Sequence, residues 1–214
     1  MSQSRYPGYD VLAKFDGVSW NDASRRTIRD RLETPREPRF FTAEQWQTLC
    51  VLVDCIMPQP PDRAPVPTAA LLDARLYSGR TDGYRRANMP EQDEAWRRGI
   101  AAIDSEAQSG HGVWFHQLER SQQLQLLHRL QAGELKHAAW GDMPSREFFE
   151  QRVLRDLAAA YYSHPTSWSE IGWGGPASPR GYVRMDLDRR DPWEASEAKP
   201  GREIQSLREN TDVH

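Results

Sequence analysis

The sequence predicts an all-α protein: about five helices in an irregular bundle, with long non-regular segments at both ends. Three observations carry that reading. Apolar residues recur at helical spacing in five windows. No window keeps the strict alternation of a half-buried strand. The 15 prolines and 14 glycines gather largely between the windows, where they end helices rather than extend them.

Residues 1–39 read as an N-terminal extension. Tyr6, Tyr9, Val11, Leu12, Phe15, Val18 and Trp20 are scattered between Gly8 and Gly17, as in a segment laid across a surface. A short polar helix is expected over 22–32, closed off by Pro35 and Pro38. The clearest helix spans 42–57. Thr42 with Gln45 three residues on makes a capping box, Trp46, Leu49, Val53 and Ile56 share one face, and Pro58, Pro60 and Pro61 stop it. A second helix covers 68–78 with Leu72 and Leu76 inward. A third starts near Pro90, a residue suited to a first helical position. Trp96, Ile100 and Ile103 form its face, and Ser109-Gly110-His111-Gly112 breaks it. A fourth follows the cap Ser121, carries Leu124, Leu127 and Leu130 and fades near Gly133. The fifth covers 145–161 and presents Phe148, Phe149, Val153, Leu154 and Leu157. Residues from about 195 are charged and polar, so a partly disordered tail is expected. The division that results is 1–39, 40–185 and 186–214.

Composition narrows the function. With 28 basic and 31 acidic residues the net charge is −3, and no basic excess supports nucleic-acid binding. No apolar run reaches the length of a membrane span. Ser24-Arg25-Arg26-Thr27-Ile28-Arg29 resembles the start of a twin-arginine export signal. The charged run from Asp30 to Arg36 stands where an apolar core would be needed. The expected location is therefore cytoplasmic, or periplasmic if a partner carries the signal. Cys50 and Cys55, five apart in a helix, point ~140° apart and are expected to be free.

Chemistry-bearing motifs are sparse. No glycine-rich dinucleotide or P-loop motif follows a strand, and there is no haem-attachment or H-E-x-x-H pattern. His111 and His116 flank an apolar turn without ligand spacing. Ser163 and His164 are neighbours in sequence, which favours a local turn hydrogen bond over a nucleophile–base pair. Asp104 and Glu106 read as a solvated helix face. The sequence assigns no catalytic, cofactor-binding or metal-ligating residue.

One segment differs. Tyr161, Tyr162, Ser163, His164 and Pro165 are followed by Trp168, by Ile171-Gly172-Trp173-Gly174-Gly175-Pro176 and by Gly181-Tyr182. Broken by glycine and proline, it must be held by the rest of the chain or by a partner. Tyrosine and tryptophan are favoured interface anchors, and glycine lets backbones approach. Tyr161, Tyr162, His164, Trp168, Gly172, Trp173, Gly174, Gly175, Pro176 and Tyr182 are the partner-interface candidates. Two other readings stand beside this one: a small stand-alone enzyme with a site near His164 and the acids of the third helix, and a helical module binding a sugar or aromatic ligand.

Two stretches resemble a known family. Phe40-Phe41-Thr42-Ala43-Glu44-Gln45-Trp46, running to Asp54-Cys55-Ile56-Met57-Pro58, is similar to its opening pattern, and Pro67, Ala69 and Ala70 to the turn after it. Phe148-Phe149, the run from Tyr161 to Pro165, Ile171 to Pro176 and Gly181-Tyr182 resemble its C-terminal signature. The family is gluconate 2-dehydrogenase subunit 3, and the likeness covers about residues 40–185. The resemblance implies a non-catalytic small subunit. It would bind and stabilise or mature a large FAD-containing partner of the glucose-methanol-choline type. That partner oxidises a sugar, sugar acid or glycoside, and a cytochrome c subunit often takes the electrons. FAD is expected in the partner and no cofactor in this chain.

Overall fold

A computed structural model describes residues 4–61, 63–177, 181, 190–191 and 193–212. Among these residues every regular element is helical, as expected. The chain divides into two compact units. One comprises the described residues of 34–62 and 67–161, the other those of 1–33, 63–66 and 162–214.

The larger unit carries α2 (Ala43–Ile56), α3 (Thr68–Tyr77), α4 (Gln92–His111), α5 (Arg120–Ala132), α6 (Ser145–Phe148) and α7 (Arg155–Tyr162). The capping box of α2 forms, with Thr42 Oγ1 accepting from the Gln45 amide at 3.3 Å and Gln45 Oε1 accepting from the Thr42 amide at 3.2 Å. Leu49, Leu52 and Val53 of α2 are buried, while Trp46 and Ile56 pack against the core from its edge. Asp73 on α3 is buried, and its carboxylate accepts the amides of Arg39, Phe40 and Phe41 at 2.8–3.1 Å. That side chain fixes the entry into α2, and no periodicity announces it.

Between α6 and α7 the helix does not stay regular. Phe149–Leu154 is π-helical, so α6, the π segment and α7 run on as one rod. Counted this way the described residues hold eight separate helices rather than about five. The wider turn also moves Leu154 outward, where it is exposed, although regular spacing places it in the core. A similar correction applies to α5. Its buried face is Gln123, Leu126, Leu127 and Leu130, and Leu124 is exposed. Positions 123, 126, 127 and 130 cluster at ~100° per residue, whereas 124 lies a quarter-turn away.

Phe148 is the centre of this unit. It is fully buried, makes edge contacts with Trp96 and tilted contacts with Trp140, and lies directly on Gly99 of α4. A Cβ at Gly99 would stand 2.2 Å from the Phe148 ring. One helical turn and two turns along, Arg152 and Asp156 follow Phe148 on the same face. Asp156 is buried, and its Oδ2 accepts from Trp96 Nε1 at 2.7 Å and Gln92 Nε2 at 2.9 Å. Burial pushes the Asp156 carboxyl above the usual carboxylate range, against the opposing pull of those two donors and of Arg152.

The smaller unit contains a 3-10 turn, Val11–Lys14, with α1 (Asp22–Leu32), α8 (Pro165–Ile171) and α9 (Glu203–Thr211). Tyr9, Val11, Trp20, Ile28 and Trp168 form its core. Lys14 is fully buried. Its ammonium donates to the carbonyls of Gly174 at 2.6 Å and Trp193 at 3.0 Å and lies over the Trp20 ring. Arg25, the first arginine of the export-like motif, donates to the carbonyls of Phe15 and Gly17. Residues 203–211 are helical rather than part of an irregular tail. Asn210 donates to the carbonyls of Pro7 and Ser196, and Ser206 to that of Glu197. Buried amide and hydroxyl groups hold α9, which is why its apolar content does not reveal it.

Two outcomes follow from the larger unit. Gly99→Ala forces Phe148 off α4 and should cost about 2 kcal/mol or more, the scale of overpacking, read from urea unfolding; a loss below about 0.5 kcal/mol would show that the ring moves aside freely. The native state holds the Asp156 proton more tightly than the unfolded chain does. Its contribution to stability is therefore complete below the ordinary carboxyl value of about 4 and is lost as pH rises through the raised one. The stability of wild type minus that of Asp156→Asn should fall as pH rises from about 4 towards neutrality, and a flat difference contradicts the shift.

Candidate functional site

The aromatic segment divides sharply by exposure. Tyr161, His164, Trp168, Gly174 and Gly175 are buried, and Gly172 and Pro176 are half-buried. Tyr162 and Trp173 are exposed at 47% and 40%, and Ile171 between them at 44%. Tyr182 lies outside the described residues. Tyr161 belongs to the larger unit; the others described belong to the smaller one.

Local chemistry holds the backbone. His164 caps α8, its Nδ1 accepting the Thr166 amide at 3.3 Å, and Pro165 supplies the first helical position. The turn bond expected at Ser163-His164 thus forms from Thr166 to the ring. Trp168 Nε1 donates to the Tyr162 carbonyl at 2.7 Å, and Arg31 donates to the Ser163 carbonyl at 2.8 Å while stacking over the Trp168 ring. Gly172 ends α8 at φ +70°, with Tyr6 so close that a Cβ would stand 2.6 Å from its ring. Gly175, at φ +74°, is packed against Trp20 in the same way. The amide of Trp173 donates to the Trp168 carbonyl at 2.9 Å, and the two indoles meet edge to face at 4.7 Å. One face of the segment therefore closes a core. The other presents Tyr162, Ile171 and Trp173 on a backbone with little freedom.

The acids of the third helix are not a solvated face. Asp104 is buried, accepting from Thr48 Oγ1 at 2.8 Å and the Phe115 amide at 3.2 Å, and burial pushes its carboxyl up. Glu106 accepts the His137 amide and Trp140 Nε1. Both carboxylates join helix to turn, and both are in the larger unit whereas His164 is in the smaller. The two cysteines are free thiols. Burial and the charge of Asp54 push Cys50 up to about 11, and burial likewise raises Cys55 against the opposing Arg120. Neither is thus held as a reactive thiolate. Among the described residues no three metal-capable side chains gather, and no helix is long and apolar enough to cross a membrane.

A second feature escaped the sequence reading. A cavity of about 140 Å³ lies in the larger unit, lined among others by Thr81, Asp82, Tyr84, Gln92 and Arg152. The Arg152 guanidinium is buried. It stands 3.4 Å from Asp156 and 3.8 Å from Asp82, which is itself in close contact with Arg75. Arginine and aspartate in a polar loop and on a helix face look like ordinary surface charge in sequence. Only the π segment, a departure that recurs at functional sites, marks the place.

No curated protein and no solved structure matches the chain. Residues 43–175, a stretch that begins at α2 and runs through Trp173 to Gly175, match the model of the family described as gluconate 2-dehydrogenase subunit 3. With most of its length covered, including the exposed aromatic residues and the cavity, the chain belongs to the gluconate 2-dehydrogenase subunit 3 family.

Proposed function

We propose that this chain is the non-catalytic small subunit of an FAD-dependent dehydrogenase of the glucose-methanol-choline type. It binds and stabilises or matures the flavin-carrying subunit, which oxidises a sugar, sugar acid or glycoside. The observation that carries the reading is the exposure of Tyr162, Ile171 and Trp173 on a backbone fixed by His164, Trp168 and Gly172 within the family-matched stretch. Large aromatic groups held in place lose little conformational freedom on association, so their burial converts efficiently into affinity. FAD belongs to the partner, and a cytochrome c subunit is the proposed electron acceptor of the complex.

Co-expression tests this directly. The flavoprotein is expected to co-purify with the chain at one-to-one stoichiometry and to lose yield and flavin when expressed without it. Equal yield, flavin content and activity in its absence would overturn the proposal. Within the complex, Tyr162→Ala combined with Trp173→Ala should weaken binding by at least about 2 kcal/mol, as for paired hot-spot residues. Tyr77→Ala, at a still more exposed aromatic in the larger unit, should leave binding unchanged.

A further inference from the structure

The cavity beside the π segment is bordered by one unmet and one weakly met polar group. Gln92 is buried and spends its amide group on Asp156, while its Oε1 has no partner. A buried acceptor left in this state is costly. Arg152 is buried too; its Nη1 donates to Asp156 Oδ2 at 3.4 Å and stands 3.8 Å from Asp82, both longer than the ~2.8 Å of a strong charge-assisted bond. Gln92 and Arg152 both line the cavity, and beside them Asp156 Oδ1 is a second buried oxygen without a partner.

We propose that it binds a small oxyanion that also carries a hydroxyl group, hydrogen phosphate or a short hydroxycarboxylate. The oxyanion accepts from Arg152, and the hydroxyl donates to Gln92 Oε1. The local charge favours an anion. Arg75, Arg85, Arg152 and Arg155 face Asp82, Glu91 and Asp156, so the arginines outnumber the acids even with every acid ionised. Asp82 lines the cavity and would repel an anion, but Arg75 and Arg155 both pair with it. Arg85 is already engaged with Glu91 and the Met89 carbonyl, which leaves Arg152 as the anchor. Burial that favours the neutral form of Asp156 adds to the positive surplus. The volume of about 140 Å³ is several times the ~10–15 Å³ that one water needs, enough for a group the size of phosphate or glycolate. Tyr84, on the lining loop, is exposed. The site is independent of the docking reading, since none of its residues belongs to the aromatic segment.

Calorimetric titration of the full chain at constant ionic strength tests the proposal, with inorganic phosphate, glycolate and acetate as probes. Phosphate or glycolate should bind saturably at one site, and the tighter of the two identifies the ligand source. Glycolate should bind about tenfold more tightly than acetate, the worth of one buried hydrogen bond. Gln92→Met should bring the ratio of glycolate to acetate affinity to about one, and Arg152→Gln should abolish binding of all three. Lack of saturable binding of phosphate and glycolate to the wild type overturns the site. So does a glycolate preference that survives Gln92→Met. Weak binding shared by wild type and both variants would mean an adventitious ion only. If Arg152→Gln does not fold, the Gln92→Met comparison decides.

Discussion

The contact of the Phe148 ring with the bare backbone of Gly99 sets the geometry of the larger unit. A phenyl ring pressed on a helix with no Cβ in the way brings α4 and the α6–α7 rod to close approach. With that distance fixed, positions 92 and 96 of α4 meet position 156 of the rod, and two donors converge on one buried carboxylate. Trp96 serves twice, as an edge-on partner of Phe148 and as a donor to Asp156. Apolar packing thus positions a polar network that could not assemble by itself, because desolvating a carboxylate is costly until its partners are in place.

The smaller unit is organised by different physics. Its apolar core is small, and much of its cohesion comes from side chains that satisfy backbone carbonyls. Lys14 reaches Gly174 and Trp193, Arg25 reaches Phe15 and Gly17, and Asn210 reaches Pro7 and Ser196. Such bonds hold irregular chain where no helix ladder exists to do so. The functional consequence is a segment whose glycines and prolines do not make it loose. Its exposed rings are presented by a fixed backbone, which is what a docking surface needs.

Two kinds of feature then coexist in one chain with no recognisable catalytic constellation among its described residues. One is an aromatic face suited to a protein partner. The other is a small polar cavity at a π-helical departure, where Gln92 Oε1 has no partner and Arg152 is held by long contacts to Asp156 and Asp82. The first accords with membership of a family named as a dehydrogenase subunit. The second would give such a subunit a means of responding to a small anion.

Local pattern carried much of the architecture. The capping box at Thr42, the apolar faces of α2, α3 and α4, and the turn bond at His164 depend on residues a few positions apart, so their chemistry is visible in order along the chain. The aromatic segment was visible as a unit for the same reason, by density and by its broken backbone. What the chain order did not carry was the direction of each ring: that Trp168 closes a core while Trp173, five residues on, faces outward follows from the αL turn at Gly172. Leu124, Leu154, Asp104 and Glu106 depart from what periodicity implies, since periodicity assumes a regular helix and a solvated charge. A π segment and distant hydrogen-bond partners override both. Helical class, the approximate ends of α1 to α5 and the family likeness are legible in chain order, whereas α8 and α9 are not. Which charges are buried and where a cavity opens depend on packing across the fold, because Gln92 and Arg152 are sixty residues apart and come together only when Phe148 seats on Gly99.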